Sequence, residues 1–98
     1  MIDEKRLLKL IPKGKKNRIS STELERLADC DKRSLKGAIS RLRRNGVLIC
    51  SSVYSGGYYL PASSEELEEW VRTEQARIRT HRAAIKPAVD FLKRYIRR

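Results

Sequence analysis

Two helix starts stand close together, at Ser20 and Asp31, and that spacing constrains this chain more than any other feature. Ser20 is followed three residues on by Glu23, a capping box in which each side chain serves the other's orphan backbone donor. Leu24, Leu27 and Ala28 then give a short helix its apolar stripe. Asp29-Cys30-Asp31 breaks it, and Asp31 is a good N-cap for a further helix. In that helix Leu35, Ala38, Ile39 and Leu42 fall at i, i+3, i+4 and i+7, one buried face. Asn45-Gly46 ends it with a residue able to take positive φ.

The flanks complete the pattern. Asp3 caps a first helix with Leu7, Leu8 and Ile11 on its buried face, and Pro12 ends it. Lys13–Arg18 is a basic loop, open to two readings: phosphate contact or a solvated connection. Val47–Cys50 is a β-branched, apolar run. Ser51–Gly57 is polar and closes on Gly56-Gly57, and Tyr58-Tyr59-Leu60 is a second strand stopped by Pro61, so the three together read as a β-hairpin. Ser63 caps a long helix with no glycine from Glu65 to Ile96. Pro87 interrupts it and predicts a kink or a break near Ala84–Lys86. The fold class expected is mainly α with a small β-hairpin wing, α+β overall. Residues 1–62 form a winged helix-turn-helix, and residues 63–98 form a long, Pro-kinked helix.

Charge narrows the function. The 98 residues fit one compact domain with a thin core, which seldom supplies a catalytic cleft. There are 23 Lys and Arg against 12 Asp and Glu, a net charge of +11. Such a surplus on a folded domain suits a polyanion, because neutralising phosphates releases condensed counterions. Val47–Ala62 carries no charge at all, so the contact surface is expected in the first half, with Glu65–Glu69 turned away from it. Cys30 and Cys50 form no CxxC and sit in apolar patterns beside a single histidine, His81, so they read as small core residues. No metal and no cofactor is expected. No run approaches a membrane span and no signal peptide is seen, which makes a reduced, cytoplasmic setting the expectation.

From Ile19 to Leu60 the sequence resembles the helix-turn-helix family typified by the amino-terminal domain of the biotin repressor. The resemblance rests on Ile19-Ser20-x-x-Glu23-Leu24, on Leu35, Ile39 and Leu42, on Asn45-Gly46, on Ile49 with Ser51-Ser52, and on Gly57-Tyr58-Tyr59-Leu60. The chain also looks like small winged-helix proteins of phages and prophages of Gram-positive bacteria, over nearly its whole length. The family's turn often has Gly where Asp29 stands, a substitution Asp tolerates better than most residues. Many of its wings carry Arg or Lys at the tip. The wing here is uncharged, and a minor role for it is expected.

The resemblance implies that the helix at 32–45 reads the major groove, where base edges show a distinct donor and acceptor pattern. On the wheel, the side opposite Leu35, Ile39 and Leu42 holds Arg33, Lys36, Gly37, Ser40 and Arg44, with Lys32 and Arg41 on the flanks. The base-edge candidates are Lys32, Arg33, Lys36, Gly37 and Ser40. The phosphate candidates are Arg41, Arg43, Arg44, Lys15, Lys16, Arg18, Ser52 and Tyr54. From Lys32 to Arg44 there are six basic residues and no acid, which favours contact over a merely solvated face. Gly37 either permits close approach or is a tolerated weakness.

In the long helix Val71, Ile78, Ile85 and Leu92 recur every seven residues, with Leu67, Val89 and Ile96 beside them. A homodimer through Val71, Ile78, Ile85, Leu92 and Ile96 is expected, although Glu74, His81 and Ala88 weaken the seam. The alternative is that Leu67, Trp70 and Val71 pack back and the rest of the helix folds over the domain. The leading reading is a sequence-specific double-stranded DNA-binding protein, a transcriptional regulator or a factor in phage DNA transactions. A protein-interaction module is the alternative, and RNA binding ranks third, with only six aromatic residues and no stacking pair in an RNA-recognition pattern. No nucleophile–base pair, carboxylate pair or phosphate loop suggests an enzyme, and no small-molecule effector is expected.

Overall fold

Backbone capping fixes the helix boundaries in this computed structural model, which describes residues 2–52 and 56–96. Helix α1 spans Glu4–Leu10, and the Asp3 carboxylate accepts from the Lys5 and Arg6 amides at 3.0 and 3.3 Å. Ile11 is extended, as a residue before proline is forced to be. The basic loop holds a single 3₁₀ turn, Lys15–Asn17. Helix α2 spans Ser21–Ala28 and helix α3 Lys32–Arg44. The Ser20 hydroxyl accepts from the Glu23 amide at 3.1 Å, and the Asp31 carboxylate from the Ser34 amide at 2.7 Å. The box at Ser20 is only half formed: the Glu23 carboxylate is taken by the Arg26 guanidinium, one turn further on.

Helices α2 and α3 end alike. Cys30 N–H donates to Glu25 and Asp29 N–H to Arg26; Val47 N–H donates to Leu42 and Gly46 N–H to Arg43. Both closures need a left-handed residue, supplied by Asp29 at φ 52° and Gly46 at φ 94°. The second closure corrects the expected strand at Val47–Cys50. The Val47 amide still belongs to the helix end, and the Ile49 amide folds back to the Val47 carbonyl at 3.1 Å. Strand β1 is therefore only Cys50–Ser51, and Leu48 points outward, 55% exposed.

Strand β2, Tyr58–Tyr59, pairs antiparallel with β1 in the register Cys50–Tyr59 and Ser51–Tyr58. Its other edge is occupied too. Tyr58 exchanges both backbone bonds with Ile19, at 2.8 and 3.0 Å, and Leu60 bridges Lys13 through the Pro12 carbonyl and the Gly14 amide. Thus the segment before α2 is stitched to the hairpin. Leu7, Ile11, Leu24, Leu35, Ala38, Ile39, Leu42 and Ile49 make the core, with Leu8 only half-buried.

Gly57 is the tightest point of this stitching. It has φ +98°, and an added Cβ would stand 2.9 Å from the Ile19 carbonyl oxygen. Gly57→Ala is expected to destabilise the fold by about 2–3 kcal/mol, through strain and a displaced bridge. Gly56 also has positive φ but opens onto empty space, so Gly56→Ala should cost about 1 kcal/mol. Urea unfolding of the two variants gives the comparison, and equal losses would refute the role of the Ile19 contact.

Helix α4 spans Ser64–Ile96 and is continuous through Pro87. The expected break is absent. Proline frees the Ala83 carbonyl, which sits on an exposed stretch where water can take the bond. The Ser63 hydroxyl caps the helix from the Glu66 amide at 3.2 Å. Only the first turns touch the body of the protein: Glu66, Leu67 and Trp70 are half-buried, while from Gln75 to Ile96 every residue but Asp90 is exposed. The distal helix does not fold over the domain. The Cα radius of gyration, 16.9 Å, reflects this projection, since a compact chain of this length would have about 13 Å.

Candidate nucleic-acid interface

Helix α3 presents its unburied side as a cationic stripe. Leu35, Ala38, Ile39 and Leu42 face the core. Arg33, Lys36, Ser40 and Arg44 are exposed on the opposite side, and Lys32 is exposed on its flank. Among the described residues no carboxylate comes within ion-pair distance of Lys32, Arg33, Lys36 or Arg44. The stripe is about 18 Å long at 1.5 Å per residue, and a bare helix of this kind fits the width of a major groove.

The remaining candidates are sorted by their partners. Arg41 donates from Nε to Glu4 Oε2 at 2.7 Å and so ties α3 to α1. Gly37 is half-buried on that flank, where an added Cβ would stand 3.4 Å from the Arg41 guanidinium. The glycine stays on the side away from the core, and the Arg41 side chain leans over it. Arg43, expected among the phosphate contacts, instead turns inward. Its Nε donates to the Ile49 carbonyl at 2.9 Å, its Nη2 to the Ser51 hydroxyl at 3.3 Å, and its guanidinium lies 5.0 Å over the Trp70 ring. One side chain thereby joins α3, β1 and α4. The wheel holds the signal: Arg43 lies four residues past Ile39 and eight past Leu35, on the edge of the buried face.

Lys15 is likewise engaged. Its amine meets Glu69 at 2.8 Å, which raises its pKa and lowers that of Glu69, chiefly through the hydrogen bond. Its amide donates to the Glu66 carboxylate, which also accepts from the Ala62 amide. The acidic start of α4 therefore seats on the basic loop instead of pointing away from it. Lys16 and Arg18 remain exposed, and Arg18 donates from Nη1 to the Lys15 carbonyl at 3.1 Å. The Ser52 amide closes the hairpin on the Gly57 carbonyl at 3.1 Å. Tyr54 lies outside the described residues.

Tyr58 borders the cationic face although its residue type does not single it out. Alternation along β2 sends Tyr59 into the core and Tyr58 to the other face. There it joins Lys36, Ile39, Ser40, Arg43 and Arg44 in lining a shallow groove between α3 and the hairpin. The two thiols lie outside this surface. Burial pushes the Cys50 thiol up to about 11 and raises that of Cys30, so both stay protonated at neutral pH and pack as small apolar groups. Among the described residues no three His, Cys, Asp or Glu side chains gather as a metal site would require, and no helix is long and apolar enough to cross a membrane. Comparison with protein-family models, with curated proteins and with solved structures finds no match to this chain.

Proposed function

We propose that this chain is a winged helix-turn-helix protein of the cytoplasm that binds double-stranded DNA by laying α3 in the major groove. The observation that carries the reading is the division of labour among the cations of α3. Arg41 and Arg43 are spent on internal partners, whereas Lys32, Arg33, Lys36 and Arg44 are left without acidic partners on the side facing away from the core. The order of elements supports it: three short helices, then a hairpin whose second strand pairs with both β1 and the residue preceding α2. In this arrangement Arg33, Lys36 and Ser40 meet base edges, and Arg44, Lys16 and Arg18 meet phosphates. Tyr58 walls the groove from the hairpin side. The protein acts by binding, as a transcriptional regulator or a factor in phage DNA transactions, and does no chemistry on the DNA.

The test is fluorescence anisotropy on a random duplex between about 50 and 200 mM salt. With these three phosphates neutralised, affinity should fall by about forty-fold across that range. Binding that is absent, or that ignores salt, overturns the proposal.

A further inference from the structure

We propose that α4 pairs antiparallel with α4 of a second copy of this chain, an inference that goes beyond the DNA-binding reading and does not depend on it. The distal helix projects from the body and carries its largest apolar side chains in water. Ile78 is 55% exposed, Leu92 53% and Ile96 74%, with Val71, Ile85 and Val89 between 38% and 44%. An exposed stripe of this length on a projecting helix is an interaction surface rather than a scatter of solvated residues.

The stripe itself names the partner. Its members are Leu67, Val71, Glu74, Ile78, Ile85, Val89, Leu92 and Ile96. The spacing along it is the same read from either end: four, three, four, seven, four, three, four residues. A second copy running the opposite way therefore matches it about a two-fold axis between His81 and Arg82. Ile78 meets Ile85 of the partner subunit, Val71 meets Leu92 of the partner subunit, and Leu67 meets Ile96 of the partner subunit. Only Glu74 falls opposite a residue unlike itself in polarity, Val89 of the partner subunit.

Charge selects the same orientation. Glu65, Glu66, Glu68, Glu69 and Glu74 lie in the first third of α4, while Lys86, Lys93 and Arg94 lie in the last. Parallel pairing sets acid on acid and base on base. Antiparallel pairing sets the acidic end on the basic end. On the flank of the stripe it brings Glu68 to Lys93 of the partner subunit, since like flanks face each other in antiparallel pairs. Arg79, Arg82 and Lys86 crowd the axis and oppose association, which keeps the dimer reversible.

Sedimentation equilibrium of the full chain from about 1 to 100 µM tests this. A mass rising towards twice 11.4 kDa is expected. Ile78→Glu with Ile85→Glu should hold the chain monomeric, with an unfolding midpoint equal to that of the parent at concentrations where the parent is dissociated, because neither residue packs on the body. Glu68→Lys and Lys93→Glu should each weaken the dimer by about ten-fold, through two symmetric pairs, and together restore it. A chain monomeric throughout, or a dimer indifferent to the Ile78 and Ile85 changes, overturns the proposal. A dimer that the paired charge swap fails to restore overturns the antiparallel orientation.

Discussion

With Arg33, Lys36 and Arg44 all changed to Glu, affinity for duplex DNA is expected to fall by about a thousand-fold or more at moderate salt. Each good contact to a base edge is worth about 1–3 kcal/mol, and each phosphate contact adds a released counterion. Reversal also sets three carboxylates against the phosphates. None of the three side chains has an ion-pair partner among the described residues, so the fold should hold. The control is Lys5, Arg6 and Lys9 changed to Glu on α1, all exposed, with the same change in net charge. Anisotropy titrations decide between site and bulk charge. If both triple variants lose affinity equally, the protein attracts DNA as a diffuse cation and α3 has no special place.

Leu35→Ala should be nearly as damaging, by a different route. Leu35 is fully buried, and its methyl groups fill the centre of a core with few members. Truncation of a buried leucine costs about 2–5 kcal/mol, against the roughly 5–10 kcal/mol that holds a small domain together. The melting temperature should drop by about 10–30 °C, and DNA binding should fail with it as α3 loses its seat. Leu48→Ala is the counterpart. The side chain is 55% exposed because the end of α3 claims the backbone around it, so the variant should unfold within about 0.5 kcal/mol of the parent. A large loss at Leu48 would place that segment back in a sheet.

The contrast between Leu35 and Leu48 shows what is legible in the sequence. Caps are written locally: Asp3, Ser20, Asp31 and Ser63 each accept from an amide two or three residues away, so their effect can be read from neighbours alone. The buried stripe of α3 emerges from the helical period in the same way. Leu48 sits in a run with strand composition, yet its surroundings are set by the closure at Gly46 and Val47, and propensity yields to that geometry. The cations divide along the same line. Arg33 and Lys36 are readable as an exposed face. The fates of Lys15 and Arg41 depend on Glu69 and Glu4, which lie 54 and 37 residues distant in the chain and come near only in the folded protein. Pro87 reads as a breaker because an interior proline costs a bond, and that cost is small where the helix stands alone in water.

Trp70 turns the joint between α3, β1 and α4 into a built-in optical probe. It is the chain's single tryptophan, and the guanidinium above it comes from the helix proposed to enter the groove. Its emission therefore reads the seat of α3 without any added dye. A small displacement of Arg43 on DNA docking would change the field at the indole, while in a single copy fraying at the far end of α4, remote from the ring, would leave the signal untouched. Intrinsic fluorescence can thus follow the seat of α3 without interference from the tip of the projecting helix.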